Sequence, residues 1–223
     1  MITLTFDDGW RSAKDEALPL LDSKNLKASF YIITDCLKEN SFPAYIKKFD
    51  VLELYESGYE IGSHTKSHPH LSKLTQEKII DEVVDSKSVL LSLGITSQTF
   101  VYPYGDFNQT VTKEVMKAGF IGARTVQRGF NDQHTNPYLL KCQAVYRWTP
   151  FFLIKHWINK AEKKNLWLIL MFHQIDTTYG FYGTTPKMLK KIADYLSSKK
   201  IQTITMLEGI KQLNLSAQDA SIE

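Results

Sequence analysis

The sequence predicts one α/β domain in which parallel strands, alternating with helices, close or nearly close into a barrel. Three observations carry that expectation. Short runs rich in β-branched and aromatic residues alternate with helical patterns along the chain. Most of these runs are near-continuously apolar, as in a parallel sheet covered on both faces. No Pro/Gly/Ser-rich linker, low-complexity stretch or fixed-period repeat divides the 223 residues. The domain is expected to span residues 1–213, with 214–223 a flexible tail.

The elements follow in order. Residues 2–6 form the first strand candidate, and 10–25 read as helical. A second strand at 28–33 is followed by a helix over 43–57 that stops at Gly58. After a strand at 59–61, Thr75 caps a helix running to about residue 93, before Gly94. A strand at 99–102 leads to a helix over 110–118, ended by Gly119, and then to a strand at 120–123. Thr149-Pro150 and Thr185-Pro186 each read as an N-cap with Pro at the first helical position. Strands at 166–172 and 202–206 complete a set of seven.

Composition excludes several classes. With 43% hydrophobic and 23% charged residues the chain is an ordinary globular protein. A net charge of +3, with scattered lysines, does not point to nucleic acid. Cys36 and Cys142 form no CxxC pair, so neither a disulfide framework nor a thiolate zinc site is expected; both read as small core residues. Met1 is followed directly by an apolar strand, with no signal-peptide pattern visible. The most apolar run, 166–172, is too short to span a bilayer, so no transmembrane segment is expected. The compartment and the oligomeric state stay open at this point.

Chemistry concentrates in three places. The first is Thr5-Phe6-Asp7-Asp8-Gly9. Asp-Gly is a hairpin signal, but a helix rather than a partner strand follows. At a strand's end, with Gly9 releasing the backbone, both carboxylates could face one cavity at the C-terminal rim, where barrel active sites form. The second is Gly62-Ser63-His64-Thr65-Lys66-Ser67-His68-Pro69-His70. A lone histidine is most often structural, but His64 and His68 at this spacing can place two ring nitrogens about 2.0–2.1 Å from one zinc ion. No Glu follows His64, so this is not the metalloprotease HExxH pattern. Asp8 supplies a third, oxygen ligand, and His70 reads as a spare on the loop surface. The third is His173, at the tip of the apolar strand, either a capped core residue or a proton donor at the same rim.

TFDDG at 5–9, His64-Thr65-Lys66-Ser67-His68, Tyr102-Pro103-Tyr104-Gly105 and Phe172-His173-Gln174-Ile175 resemble the motifs of the polysaccharide deacetylases of carbohydrate esterase family 4, in the family's order. The resemblance covers residues 2 to about 213. It implies a distorted (β/α)7 barrel and removal of acetyl groups from a carbohydrate polymer, foremost one containing N-acetylglucosamine. It makes Asp7 the catalytic base, Asp8, His64 and His68 the ligands of a divalent metal, and His173 the general acid. The peptide N–H of Tyr104 would help hold the oxyanion. Zinc is the first choice of metal, with cobalt, nickel or iron also suited to such ligands. A secreted or cell-envelope location follows from the resemblance alone; a cytoplasmic one is not excluded by the sequence.

The chain also departs from the family pattern. Val101 stands where an Arg two residues before Pro normally contacts the base, and the acidic-plus-Trp motif is missing. Arg124, just past a strand end, either reaches Asp7 from another direction or is a surface arginine. Trp10 follows TFDDG in place of the common Pro, as a sugar-stacking platform or as simple packing. An open groove lined by Trp10, Tyr104 and Tyr182 would suit a polymer; a closed pocket would suit a small-molecule amidohydrolase on the same fold. An O-acetyl xylan esterase is a further enzymatic alternative. A non-catalytic carbohydrate-binding protein is the alternative outside enzymes.

Overall fold

A computed structural model describes residues 1–38, 42–177 and 182–213; the expected tail at 214–223 lies outside the described residues. Seven strands close into a barrel in chain order, all paired in parallel, with the last hydrogen-bonded to the first. They are β1 (Ile2–Phe6), β2 (Ser29–Ile32), β3 (Glu60–Ser63), β4 (Thr99–Val101), β5 (Gly122–Arg128), β6 (Leu140–Ala144) and β7 (Leu168–Phe172). The helices are α1 (Arg11–Ser23), α2 (Lys48–Glu56), α3 (Gln76–Ser92), α4 (Gln109–Lys117), α5 (Phe151–Lys164), α6 (Pro186–Ser198) and α7 (Met206–Gln212).

Side-chain alternation sorts each strand between two cores. Ile2, Leu4 and Phe6 of β1 join Leu168, Leu170 and Phe172 of β7 in the layer beneath α1, α5 and α6. Thr3 points the other way, into the barrel, where its hydroxyl accepts the indole N–H of Trp167 at 2.9 Å. Tyr31, Cys142, Trp167, Ile169 and Met171 fill that interior. The barrel is distorted on one side. β3 and β4 share a single register pair, Ser63 with Phe100, and the β5–β6 ladder shifts register between Arg124 and Arg128. No helix lies between β5 and β6 among the described residues.

Six of the seven expected strands are present; the one at 202–206 is not. That segment makes a backbone hydrogen bond from Ile204 to Ile2, then turns into α7. Thr205 accepts the Glu208 N–H while the Glu208 carboxylate accepts the Thr205 N–H, a capping box that starts a helix instead of extending a strand. Met206 and Ile210 then plug the barrel interior beside Trp167. The seventh strand is β6, whose Leu-Lys-Cys-Gln-Ala has no β-branched or aromatic residue to announce it.

Three helix starts also differ. Pro150, not Thr149, is the N-cap of α5, because the Thr149 hydroxyl accepts the Tyr146 N–H at 2.9 Å. Asn108 caps α4 through the Val111 N–H. α2 begins at Lys48, well after Pro43. The chain before it is tied to the TFDDG turn by Arg11 N–H to Ala44 O at 2.7 Å and Ile46 N–H to Gly9 O at 2.9 Å. Cys142 is buried in the barrel, whereas Cys36 is only half-buried, a correction to its reading as core.

Candidate active site and metal centre

The loops leaving β1, β3, β4 and β7 converge at one end of the barrel around a cavity of about 400 Å³. Asp7, Asp8, Trp10, His64, His68, Tyr104, His173 and Tyr182 all line it. The two carboxylates of TFDDG therefore do face one space. Asp8 adopts a left-handed backbone (φ 71°), which breaks the strand alternation that would separate it from Asp7. Thr65, His68 and Tyr104 are also left-handed, with φ of 65°, 64° and 59°. Such conformations cost non-glycine residues roughly 1–2 kcal/mol each, and their clustering at one site indicates that surrounding contacts impose them.

Those contacts are visible in the loop between the two histidines. The Thr65 hydroxyl accepts the His68 N–H at 2.9 Å. Glu82 of α3 accepts the Lys66 N–H at 3.1 Å and the Ser67 N–H at 2.8 Å. Glu82 carries no local signal in the sequence, where it looks like any helix-surface carboxylate. Gly105 allows the loop after β4 to lie against β5. A Cβ there would meet Val126 Cγ2 at 2.4 Å, on a backbone of φ 67°.

The nitrogen and oxygen donors of Asp8, His64 and His68 form a tight triangle. His64 Nε2 and His68 Nε2 are 3.1 Å apart, and Asp8 Oδ1 lies 3.3 and 3.5 Å from them. An ion with bonds of about 2.0–2.2 Å to such ligands needs donor separations of about 3.0–3.6 Å. His64 Nδ1 donates to the Val101 carbonyl at 2.8 Å, which fixes the tautomer and leaves the Nε2 lone pair toward the triangle. Burial and the neighbouring His64 lower the pKa of His68 to about 4, so it is neutral and able to ligate at neutral pH. Burial raises the Asp8 pKa, but the adjacent His64 ring, with His173 and His68, outweighs it and holds the carboxyl well below its ordinary range. Asp8 Oδ1 is buried without a hydrogen-bond partner among the described residues. Two imidazoles, one carboxylate oxygen and this spacing fit a divalent cation.

Asp7 lies beside this triangle and forms a buried ion pair with Arg124, whose Nη2 donates to Asp7 Oδ2. Arg124 lies within β5, not past its end, and its side chain runs through the barrel interior. Its Nη1 donates to the Thr125 carbonyl at 2.9 Å and lies 3.0 Å from Met171 Sδ. It is fully buried, so it is not a surface arginine. Asp7 Oδ1 is buried with no partner among the described residues, as is His173 Nδ1.

Aromatic rings form the rim. Tyr104, 57% exposed, packs its ring between His68 and His70, with centroids 4.5 and 4.1 Å away. His70, read as a loop spare, is thus a wall for Tyr104. Tyr182, 63% exposed, stands opposite, 6.1 Å from His173 and 5.9 Å from Tyr146. Tyr146 and the adjoining Trp148 extend this side, and no motif marks either one. Trp10 is half-buried, stacks on Tyr45 at 4.5 Å, and donates its indole N–H to Asp8 Oδ2 at 2.8 Å.

Residues 1–123 match the family model for polysaccharide deacetylase. The chain belongs to the polysaccharide deacetylase family. It is 30% identical over 142 residues to chitin deacetylase 1 of Cryptococcus neoformans, covering 59% of this chain and 28% of that protein. It is 28% identical over 179 residues to the poly-β-1,6-N-acetyl-D-glucosamine N-deacetylase of Staphylococcus aureus, covering 73% of this chain and 60% of that one. The chain thus spans less than two thirds of the length of these curated relatives. Among solved structures, a family 4 acetyl xylan esterase from Clostridium thermocellum, in complex with a cobalt ion, has the same fold. Its TM-score is 0.69 at 20% identity, over 95% of this chain and 90% of that one. The distorted seven-stranded deacetylase barrel expected from the sequence is the fold observed. No helix among the described residues is long and apolar enough to cross a membrane.

Proposed function

We propose that this chain is a metal-dependent deacetylase acting on a carbohydrate polymer, foremost one built on N-acetylglucosamine, at the envelope or outside the cell. The observation that carries the reading is the convergence, in one cavity, of an Asp–His–His triangle, a carboxylate held by a buried arginine, and a histidine. The chitin and poly-N-acetylglucosamine deacetylases among its relatives support the substrate class. The exposed rings of Tyr104, Tyr182 and Trp148 at the rim suit the apolar faces of a chain of sugars better than a closed small-molecule pocket.

Asp8, His64 and His68 hold the metal, with zinc the first choice. A divalent ion held there would supply Lewis acidity toward the acetyl carbonyl and acidify water. Asp7 takes a proton from the attacking water as the water oxygen bonds to the acetyl carbon, and the ion pair with Arg124 keeps that carboxylate aimed. The Tyr104 peptide N–H donates to the developing oxyanion, from a 3₁₀ turn whose first amides have no acceptor inside the turn. The carbon–nitrogen bond then breaks while His173 passes its proton to the departing amine, leaving acetate and a free amino sugar. Trp10, Tyr104 and Tyr182 contact the polymer.

The test is acetate release from N-acetylglucosamine oligomers with β-1,4 and β-1,6 links, peptidoglycan fragments and acetylated xylan, with and without chelator. The Asp7→Asn variant should bind metal at wild-type stoichiometry by elemental analysis and lose at least about 10²-fold in turnover. Loss of metal in Asp7→Asn, or chelator-insensitive acetate release, would refute these roles.

A further inference from the structure

We propose that Trp10 is a metal-positioning residue, whose indole N–H holds Asp8 in its ligating orientation; this rests on the reading of Asp8, His64 and His68 as metal ligands. The two oxygens of Asp8 are divided between two tasks. Oδ1 faces both imidazoles, at 3.3 and 3.5 Å, and Oδ2 accepts the Trp10 Nε1–H at 2.8 Å. Asp8 needs such a tether. It sits on a left-handed backbone next to Gly9, beyond the last residue of β1, where no strand ladder fixes where its side chain points.

Trp10 is itself well anchored. Its ring stacks on Tyr45 with an interplanar angle of 27°, and its backbone forms an antiparallel bridge with the same residue. The hydrogen bonds of Gly9 and Arg11 to residues 44–46 brace it on both sides. The indole rotor is therefore set by a neighbouring loop before any ion arrives. An indole is also chemically suited to the task. It donates one hydrogen bond and offers no nitrogen lone pair, so it can saturate Oδ2 without competing for the metal. A histidine or a carboxylate in its place could become a ligand and change the coordination. With Oδ2 engaged, Asp8 presents one oxygen to the site. One face of the ring is already used by Tyr45, so a role in sugar stacking is left at most the other.

Partners that orient metal ligands typically contribute 10- to 100-fold in metal affinity. Trp10→Phe keeps an aromatic ring on Tyr45 and deletes only the donor. Zinc and cobalt affinities measured by competition with a chromophoric chelator should weaken by about 10- to 100-fold in this variant. The visible absorption of the cobalt-loaded protein should shift as the carboxylate reorients. Replacing Trp10 with benzothienylalanine, which keeps the bicyclic shape but has sulfur in place of N–H, should reproduce the loss and covers the case in which Trp10→Phe folds poorly. Tyr45→Leu, which removes the stacking partner but leaves the donor, should weaken binding less than either. Wild-type affinity in both Trp10 variants, with an unchanged cobalt spectrum, overturns the proposal. An effect of Tyr45→Leu equal to theirs does so too, since it would mean packing alone. Asp8→Ala and His64→Ala in the same assay separate the two levels: if they lose metal and the Trp10 variants do not, only this inference falls. If they also keep it, the metal-centre reading falls as well.

Discussion

At the scale of single residues, the buried pair of Asp7 and Arg124 is the most consequential interaction in the site. Both side chains are almost wholly withdrawn from water, and each is the other's only charged partner in the ion pairs of the described residues. Burial works against the guanidinium charge, and Asp7 beside it more than restores it. Removing one member of such a pair leaves an uncompensated charge in the interior. Arg124→Ala should therefore cost about 3–5 kcal/mol in urea denaturation. It should also change the shape of the pH–rate profile, because the proposed base loses its counter-charge. Arg124→Lys, which restores a cation without the planar fork, should recover part of both. An unchanged pH–rate profile in Arg124→Ala would remove the residue from the mechanism and leave it a structural pair.

At the scale of elements, the site depends on loops held from outside. The segment before α2 braces Trp10, and it is in turn locked by Asp50. That carboxylate accepts the Lys47 N–H at 2.7 Å and pairs with Arg11 at 3.1 Å and Lys14 at 3.3 Å. Burial raises its pKa, but the Lys47 amide, Lys14 and Arg11 outweigh that and hold it below the ordinary value of 3.8. A carboxyl whose pKa is depressed by folding adds stability above its unfolded pKa and loses it as pH falls through the folded one. Asp50→Asn should thus lower stability by about 2–4 kcal/mol near neutral pH. The gap from wild type should close as pH drops below about 4, read by thermal melts across pH. A gap that stays constant down to pH 2 would show that the charge of Asp50 is irrelevant. The strands show why elements differ in legibility. β7 announces itself with Leu-Ile-Leu-Met-Phe, whereas β6 is a strand only because β5 and β7 flank it.

At the scale of the whole molecule, closing the barrel is what assembles the centre. Asp8, on the loop after β1, meets His64 and His68, on the loop after β3, because those strands are separated in the sheet only by β2. α7 seals the other end with Met206 and Ile210, where an added Cβ on Gly209 would strike Trp167 at 2.3 Å. Binding of an ion by the folded state alone should then stabilise the entire domain. At metal a hundredfold above its dissociation constant the gain is about 2.7 kcal/mol, or roughly 5–10 °C in melting temperature for a chain of this size. Calorimetry before and after chelator dialysis should show that difference in wild type and none in His68→Ala. Equal shifts in both would place the stabilising ion elsewhere.

The sequence by itself determined the parts that are local: the alternation of strand and helix, six of the seven strands, and the motif residues at strand ends. These follow from periodicity, capping and turn chemistry within a few residues of each position. Tertiary structure alone decided the rest. Arg124 meets Asp7 across 117 residues, the loop carrying Tyr45 turns the Trp10 N–H toward Asp8, and β6 becomes a strand between β5 and β7. Each of these depends on which distant groups share a low-dielectric space or an open hydrogen-bonding edge, and no local window of residues encodes that.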